Sequence, residues 1–470
     1  SISIMKSIKK ILIISSLTLA SGAVSAQTSY SGYFLDEYTY RYEMNPAFGN
    51  SKGFVSFPAL GNVNVAMRGS LHITDIIYKN PHGGNNILFT NSLISQSEAM
   101  NHLRNRKFIG EDVKLNIMSV GFNAFGGYNT VSLSANESGN ISVPKEFFSL
   151  AKEGITNKTY NIDDLNGTVN GYATIALNHS RDIKQVPGLR VGAALKFYLG
   201  IANVDARLKE AELALGTDAW TAKTNAEVYL SAKGARFETD EYVPKGPEGG
   251  APRRYVSGIN MEDFTPGITG FGMGVDLGAE YKWRDFRFSA ALLDLGFMSW
   301  SNTIMASTNG VQSFTTDAYT FSTNGDAPNS FDKEVDKLGD DISKLYQMTD
   351  IQDAQSNTTG MAATLNFGVD YEFPYYRNLH FGLVNSTRIN GPYTWTQFRV
   401  SANVAPVKVF SANVNMEMGT FGVGFGWMLN LHVTGFNLFA GMDHTVGKLS
   451  KQFIPLNSNA SFNFGINFLF

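Results

Sequence analysis

The sequence predicts an all-β fold: a transmembrane antiparallel β-barrel of about 14 strands, with 16 as the other count, an N-terminal lumenal plug and short extracellular loop helices. Three observations predict it. Long segments alternate apolar and polar residues, the chain is poor in charge, and its last strand is a ladder of aromatic side chains.

Odd positions from 271 to 283 read Phe271, Met273, Val275, Leu277, Ala279, Tyr281 and Trp283, while even ones read Gly272, Gly274, Asp276, Gly278, Glu280 and Lys282. One face suits lipid and the other water. The pattern returns in residues 63–73, where Asn64, Arg68, Ser70 and His72 form the polar face, and in 191–201, 365–373 and 421–429. Such runs match strands tilted across a bilayer, which need about 9 to 11 residues. Strands of a soluble β-sandwich also alternate, but they usually stop at about 5 to 6 residues and carry more charge outside. Charged residues make up only 17% and aromatics 13%, with 46 glycines and 34 phenylalanines. That composition suits a pleated surface better than helices. A net charge of -3 without a basic stripe argues against nucleic acid as a partner.

At the N-terminus Lys6, Lys9 and Lys10 precede an apolar run over 11–20, and Val24 and Ala26 stand three and one residues before Gln27. Residues 1–26 are expected to be a secretory signal peptide with Met5 as initiator, because the run is shorter than the roughly 20 residues of a spanning helix. There is no cysteine, hence no lipid-bearing Cys and no disulfide. Residues 27–60 are rich in Tyr, contain Pro46, Gly49 and Pro58, and lack long alternation. They do not read as a wall strand. A periplasmic tail and a plug inside the barrel are the two options, and the aromatic content favours packing inside something. Asn45-Pro46 reads as a turn in which the Asn side chain bonds nearby backbone. The barrel itself is expected over 61–470.

Short connections at Arg284-Asp285, 374–378 and Pro406-Val407 alternate with long excursions at 296–360 and 443–460. In bacterial barrels short turns face the periplasm and long loops the outside. Both mature termini are then expected on the periplasmic side of the cell outer membrane, which requires an even strand count. The count is 14 if residues 205–242 are an extracellular elaboration and 16 if they add two strands. Within the longest excursion Phe331, Val335, Leu338, Ile342 and Leu345 recur at helical spacing. That stripe is expected to be buried, over the barrel mouth or against a partner protein. The weaker stretch 92–103 suggests a second loop helix.

In the last strand Phe462, Phe464, Ile466, Phe468 and Phe470 alternate with Ser461, Asn463, Gly465, Asn467 and Leu469. This resembles the terminal signal by which the barrel assembly machinery recognises its clients. In a soluble sheet the same ladder would be an aggregation liability. Outer-membrane lipid and lipopolysaccharide are the expected surroundings.

No His-Glu-x-x-His, Gly-x-Ser-x-Gly or Walker-type loop is present, and the seven histidines lie far apart without metal-ligand spacing. The glycines at 270, 272 and 274 mimic part of a dinucleotide loop, but alternate glycines on a strand merely thin one face. Neither catalysis, a metal nor a cofactor is expected. Arg68, Lys196, Asp276, Glu280, Lys282, Arg287, Asp370 and Glu372 fall on polar faces and should meet in the lumen. A gating or selectivity cluster is one reading. Ion pairs filling a narrow barrel and bonded to the plug are the other, and the favoured one.

Tyr33-Phe34-Leu35, Glu43-Met44-Asn45-Pro46-Ala47-Phe48 and Phe57-Pro58-Ala59-Leu60-Gly61-Asn62 together resemble the opening of an uncharacterised Bacteroidetes-type outer-membrane barrel family. Val143-Pro144-Lys145-Glu146-Phe147-Phe148 leading to Gly154 extends the resemblance. So does the stretch from Gly274-Val275-Asp276-Leu277-Gly278 through Leu293-Asp294-Leu295-Gly296-Phe297 to Trp300. The family is similar to the FadL-type long-chain fatty-acid transporters, whose members also carry Asn-Pro-Ala ahead of the first strand. The resemblance implies a barrel of about 14 strands whose N-terminal segment, with Asn45, Pro46, Ala47 and Phe48, folds into the lumen as a plug. No lumenal run of large apolar residues defines a lipid pocket by itself. Two function classes follow: a passive channel for small hydrophobic or amphipathic molecules, or a plugged structural barrel that anchors or presents another protein, as a related shuttle barrel of a secretion system does. A continuous lumen or a wall gap lined by apolar residues would favour the first. A filled lumen with an exposed apolar loop surface would favour the second.

Overall fold

The computed structural model describes residues 29–470 except 102, 104–105, 154–155, 164, 217–218, 247–249, 321–329 and 446–458. The expected signal peptide and most of the excursion 443–460 lie outside the described residues.

Strands with one apolar and one polar face expose unpaired edges unless the sheet closes on itself. Here it closes. The wall strands are β1 (Phe54–Ser56 and Val63–Gly69), β2 (Arg106–Ala124), β3 (Gly127–Pro144), β4 (Asn166–Asp182), β5 (Leu189–Leu215), β6 (Gly270–Trp283), β7 (Phe286–Ser307), β8 (Ala363–Glu372), β9 (Leu379–Ile389), β10 (Trp395–Val407), β11 (Phe410–Gly419), β12 (Gly422–Val433), β13 (Phe436–Met442) and β14 (Ala460–Leu469). Neighbours pair antiparallel, and β1 joins the ends of the sheet by pairing with both β2 and β14. The wall therefore has 14 strands among the described residues, not 16. Residues 205–242 instead prolong β5 and supply the strand Trp220–Ala232, which continues the sheet beyond the loop-side end of β6. The hairpin Arg236–Tyr242 with Arg253–Asn260 stands as a separate sheet.

The two faces separate as the alternation predicts. Phe271, Val275, Leu277 and Trp283 are exposed on the outside, whereas Gly272, Gly274 and Asp276 are buried inside. In β14, Phe462, Phe468 and Phe470 point outward and Phe464 and Ile466 are half-buried, while Ser461, Asn463 and Asn467 are buried. Phe470 completes the seam by exchanging two 3.0 Å backbone bonds with Gly53.

Three boundaries differ from the sequence reading. The wall begins at Phe54, within the segment 27–60 read as plug, and β1 is broken at 57–62. There Ala59 adopts φ 58° and Phe57 and Leu60 turn outward. The turn after β10 is Lys408-Val409, because Pro406 and Val407 still belong to the strand. Residues 296–307, read as loop, stay in β7. A bulge opposite Asp276 shifts the alternation there: Val275 faces Leu295, but Leu277 faces Leu292.

Residues 29–53 fill the ring on its short-turn side. Tyr33, Tyr38 and Tyr40 are fully buried, and the plug's hydroxyls bond the polar faces of the wall. Tyr38 Oη donates to Asn463 at 3.2 Å, Tyr40 Oη to Asn467 at 2.8 Å, Thr39 Oγ1 to Asn437 at 2.8 Å and Tyr30 Oη to Asn366 at 3.1 Å. The segment is a plug and not a tail. Ser29, its first described residue, lies in the lumen beside Asp443, near the loop-side end of β13. Phe470 lies at the short-turn rim, where Leu469 N–H bonds Gly435 O at 3.1 Å.

The loop rim carries α1 (Ile73–Ile76), α2 (Gln96–Asn101), α3 (Lys145–Glu153) and α4 (Phe331–Tyr346). The helices α2 and α3 share a small core with Leu71, Phe89, Ile94 and Phe148. In α4 the expected burial of the apolar stripe is not found. Val335 and Ile342 are exposed, Leu338 and Leu345 are half-buried, and the Phe331 side chain lies outside the described set. The polar side is buried instead, because hydrogen bonds fix it to the neighbouring hairpin. Asp340 accepts from Tyr242 Oη at 2.7 Å and from the N–H groups of Lys245 and Gly246 at 3.0 and 2.8 Å, and Arg253 Nη2 donates to Ser343 Oγ at 2.7 Å.

Candidate functional site

A plug can gate a barrel only if something holds it. The turn residues read from the sequence do this on one side. Asn45 Oδ1 accepts from the N–H of Ala47 at 2.9 Å, while Nδ2 donates to the carbonyls of Ala279 and Ala290 at 3.1 and 3.3 Å. Asn178 Nδ2 donates to Pro46 O at 3.4 Å and Arg190 Nε to Ala47 O at 2.8 Å. Close approach depends on two glycines paired across β5 and β6, Gly192 and Gly278. A Cβ on Gly192 would stand 2.1 Å from Pro46 O, and one on Gly278 2.0 Å from Asn45 Oδ1. Phe48 is held by the Arg41 guanidinium, 4.3 Å from its ring centroid, and by an edge contact with Tyr33. The second anchor was not legible in the sequence. The Asp443 carboxylate accepts from Ser29 Oγ at 2.8 Å, Tyr30 N at 2.9 Å, Ser31 N at 2.7 Å and Ser31 Oγ at 2.8 Å.

The eight lumenal charges expected to form one cluster separate into four groups. Lys196 lies between Asp276 and Asp294, at 2.7 and 2.6 Å. Arg287 bonds Asp370 and the plug's Asp36, each at 2.6 Å, with Glu280 3.9 Å away and His380 3.1 Å from Asp370. Lys282 and Arg377 meet Glu372 at the short-turn rim. Arg68 approaches Asp112 at 3.5 Å and covers Trp395. The tilt of the strands places residues of one polar face at different heights, which is why equal parity did not mean contact. Arg399, Glu417, Asp443 and His444 form a further buried group that the sequence reading missed.

Asp294 stands out because it occupies the bulge of β7 with φ 56°, a left-handed conformation that Asp tolerates better than most residues. Its N–H donates to Asp276 Oδ1 at 2.7 Å, and its carboxylate accepts from Tyr198 Oη at 3.0 Å as well as from Lys196. The Val-Asp-Leu-Gly and Leu-Asp-Leu-Gly segments thus face each other and build one polar station in the wall.

That station faces the inner of two cavities on the loop side of the plug. The inner cavity, about 110 Å3, ends on Tyr30, Tyr42 and Met44 of the plug. The outer cavity, about 490 Å3, is lined by Asn203, Asp205, Trp300, Met361 and Tyr393 among others. Ser138, Tyr172 and Arg388 line both and so stand between them. Amide, hydroxyl and charged groups outnumber large apolar ones along this path. Among the described residues no group of three or more His, Cys, Asp or Glu side chains is placed to hold a metal ion.

Residues 46–443 match the DUF5723 family, described as a family of unknown function. The chain belongs to this family. The DUF5723 match opens at Pro46 and closes at Asp443, so it runs from one plug anchor to the other. No curated protein matches. Among solved structures the chain is similar to the Ralstonia pickettii toluene transporter TbuX, with a TM-score of 0.38 and 8% identity over 95% of this chain and 96% of that one. It is similar also to the Pseudomonas putida toluene transporter TodX, with a TM-score of 0.35 and 7% identity over 95% and 94%. A Pseudomonas aeruginosa FadL homologue gives a TM-score of 0.36 and 9% identity over 90% of each chain.

Proposed function

We propose that this protein is a non-enzymatic outer-membrane conduit that takes up small amphipathic molecules at its loop side and is held shut by its own N-terminal segment. The long loops would face outside and the short turns the periplasm. One observation carries the reading: two neighbouring cavities, with Ser138, Tyr172 and Arg388 between them, lie one above the other on the loop side, and the inner one stops on the plug. Such a layout accepts a solute before the path opens. The wall strands bond one another and do not need the plug for their ladders. Deleting residues 31–51 should therefore leave a folded barrel with raised permeability to small solutes in liposomes.

A second reading is favoured by the open stripe of α4, where Val335, Ile342 and Tyr346 are exposed. Under it the plugged barrel anchors or presents another protein. The same deletion separates the two, since a variant that folds and stays as tight as the parent leaves the scaffold as the better account.

A further inference from the structure

We infer that the two cavities bind a neutral, polyhydroxylated solute, a sugar or sugar-like polyol, rather than an anion or a hydrocarbon; this deepens the conduit reading and rests on it. Charge comes first. Every cation lining either cavity has a carboxylate partner: Lys114 with Glu43 at 2.7 Å, Lys196 with Asp276 and Asp294, Arg207 with Asp205, Lys209 with Glu227 at 2.5 Å and Arg388 with Asp112 at 3.9 Å. An anionic head group would have to compete with the carboxylate already beside each of these cations.

Among the described residues that line the two cavities, the buried side-chain groups without a hydrogen bond are neutral. Tyr42 Oη, Thr130 Oγ1 and Asn178 Oδ1, on residues that line the inner cavity, and Asn203 Oδ1 and Trp300 Nε1, on residues that line the outer, are buried without a hydrogen bond, on side chains no more than 6% exposed. Together they offer two hydroxyls, two amide acceptors and one indole donor. A hydrocarbon would cover these groups and pair none of them, at a cost for each. A polyol carries donors and acceptors on adjacent carbons and can meet them. The half-buried Tyr172 ring, common to both cavities, gives the C–H side of a sugar ring a flat surface to lie on. About 490 Å3 is also within the range of small-ligand sites.

The test is calorimetric binding to the full-length barrel in lipid nanodiscs, with glucose, maltose and sorbitol as neutral probes, laurate as the anionic probe and toluene as the apolar one. Saturable binding of a neutral probe is expected, weakened roughly three- to ten-fold by Trp300→Phe or Asn203→Leu, each of which removes one hydrogen-bonding group. Heat-modifiable gel mobility checks that the variants fold, and the parent's choice among probes decides even if they do not. Saturable binding of laurate or toluene with none of a neutral probe overturns the inference. So does no saturable binding at all, or neutral-probe binding that folded variants leave unchanged. Because calorimetry reads binding and not passage, a barrel that binds sugar yet stays closed after plug deletion would remove the conduit and keep the ligand class.

Discussion

Gly192→Ala should loosen the plug while sparing the wall. The new Cβ would lie 2.1 Å from Pro46 O, 2.3 Å from Pro46 C and 2.5 Å from Ala47 N, all plug backbone. To regain ordinary contact distance that backbone must retreat by more than roughly 1 Å. Its wall bonds, from Asn45 to two carbonyls and from Asn178 and Arg190, now span 2.8 to 3.4 Å. A displacement of that size takes them beyond hydrogen-bonding range. Three neutral bonds at about 1 kcal/mol each and the charge-assisted Arg190 bond at about 1.5 to 3 kcal/mol set an upper loss of roughly 4.5 to 6 kcal/mol for this part of the plug. In the strand itself alanine is no worse than glycine and should raise β propensity. The expected result is a heat-modifiable barrel whose backbone amides over 41–53 exchange hydrogen faster, with little change in the wall strands. Unchanged exchange over 41–53 in a folded variant would refute the claim that this contact holds the plug, and a wall that unfolds would refute its independence.

Other consequences are open to direct measurement. Removing Phe470 takes away the Gly53 seam bonds, and replacing Phe468 and Phe470 by serine takes away the end of the outward ladder while keeping those backbone bonds, so unassembled protein should accumulate in both cases; normal heat-modifiable barrel would count against the terminal signal. Single cysteines at Lys344 and Asn378 should label differently in intact cells, the first reacting with an impermeant reagent and the second protected, and labelling at Asn378 alone would invert the barrel. Lys344 is exposed, whereas its neighbour Ser343 is buried against Arg253 and unsuited to labelling. Burial acts to raise the Asp340 carboxyl, but the N–H groups of Lys245 and Gly246, the Tyr242 hydroxyl and Arg253 hold it below the usual carboxylate range. A lowered folded value means that its contribution is present above the unfolded value of about 3.9 and is lost as pH falls through the folded one. Hydrogen exchange in α4 should thus rise below about pH 4 in the parent and lose that step in Asp340→Asn; a parent with no acid step would show that Asp340 is not the clasp.

The wall was legible because lipid imposes a strict rule on it: residues such as Phe271, Val275 and Leu277 must face out, and period two shows this without any partner. Where lipid stops, so does the signal. The strand Trp220–Ala232 and the upper part of β7 lie beyond the paired end of β6, at Gly270, and their Thr, Ser, Asn and Ala residues gave no outward face to read. Asp294 was invisible for a different reason. Leu293-Asp294-Leu295 keeps perfect alternation on paper, yet the left-handed backbone at Asp294 inverts the faces after it. In α4 the helical spacing was correct and its consequence was not, since Tyr242, Lys245 and Arg253, about ninety positions away, decide which side is buried. Asn45-Pro46 could be read as a turn from local chemistry alone. The Asp443 anchor, 412 residues from Ser31, could not.

The plug and the seam of the wall meet at one junction in this topology. Gly53 ends the plug and, through its exchange of bonds with Phe470, begins the seam; Phe54 to Ser56 then pair with β14 on one side and β2 on the other. A Cβ at Gly53 would lie 2.4 Å from Phe470 Cε2, so the seam leaves no slack there. The last strand to be made therefore meets a segment continuous with the plug, and placing the plug before the seam closes spares it from entering a finished ring. Early placement also gives the polar faces partners as they form: Asn463 and Asn467 of β14 accept from Tyr38 and Tyr40. The Asn467 amide reaches Gly61 O at 3.2 Å in the break of β1. A deletion meant to open the lumen must consequently stop short of Gly53. Ending it at residue 51 keeps Gly53 and the Phe54–Ser56 pairing, so failure of that variant to form a barrel would mean that the plug guides seam closure and does more than close the finished pore.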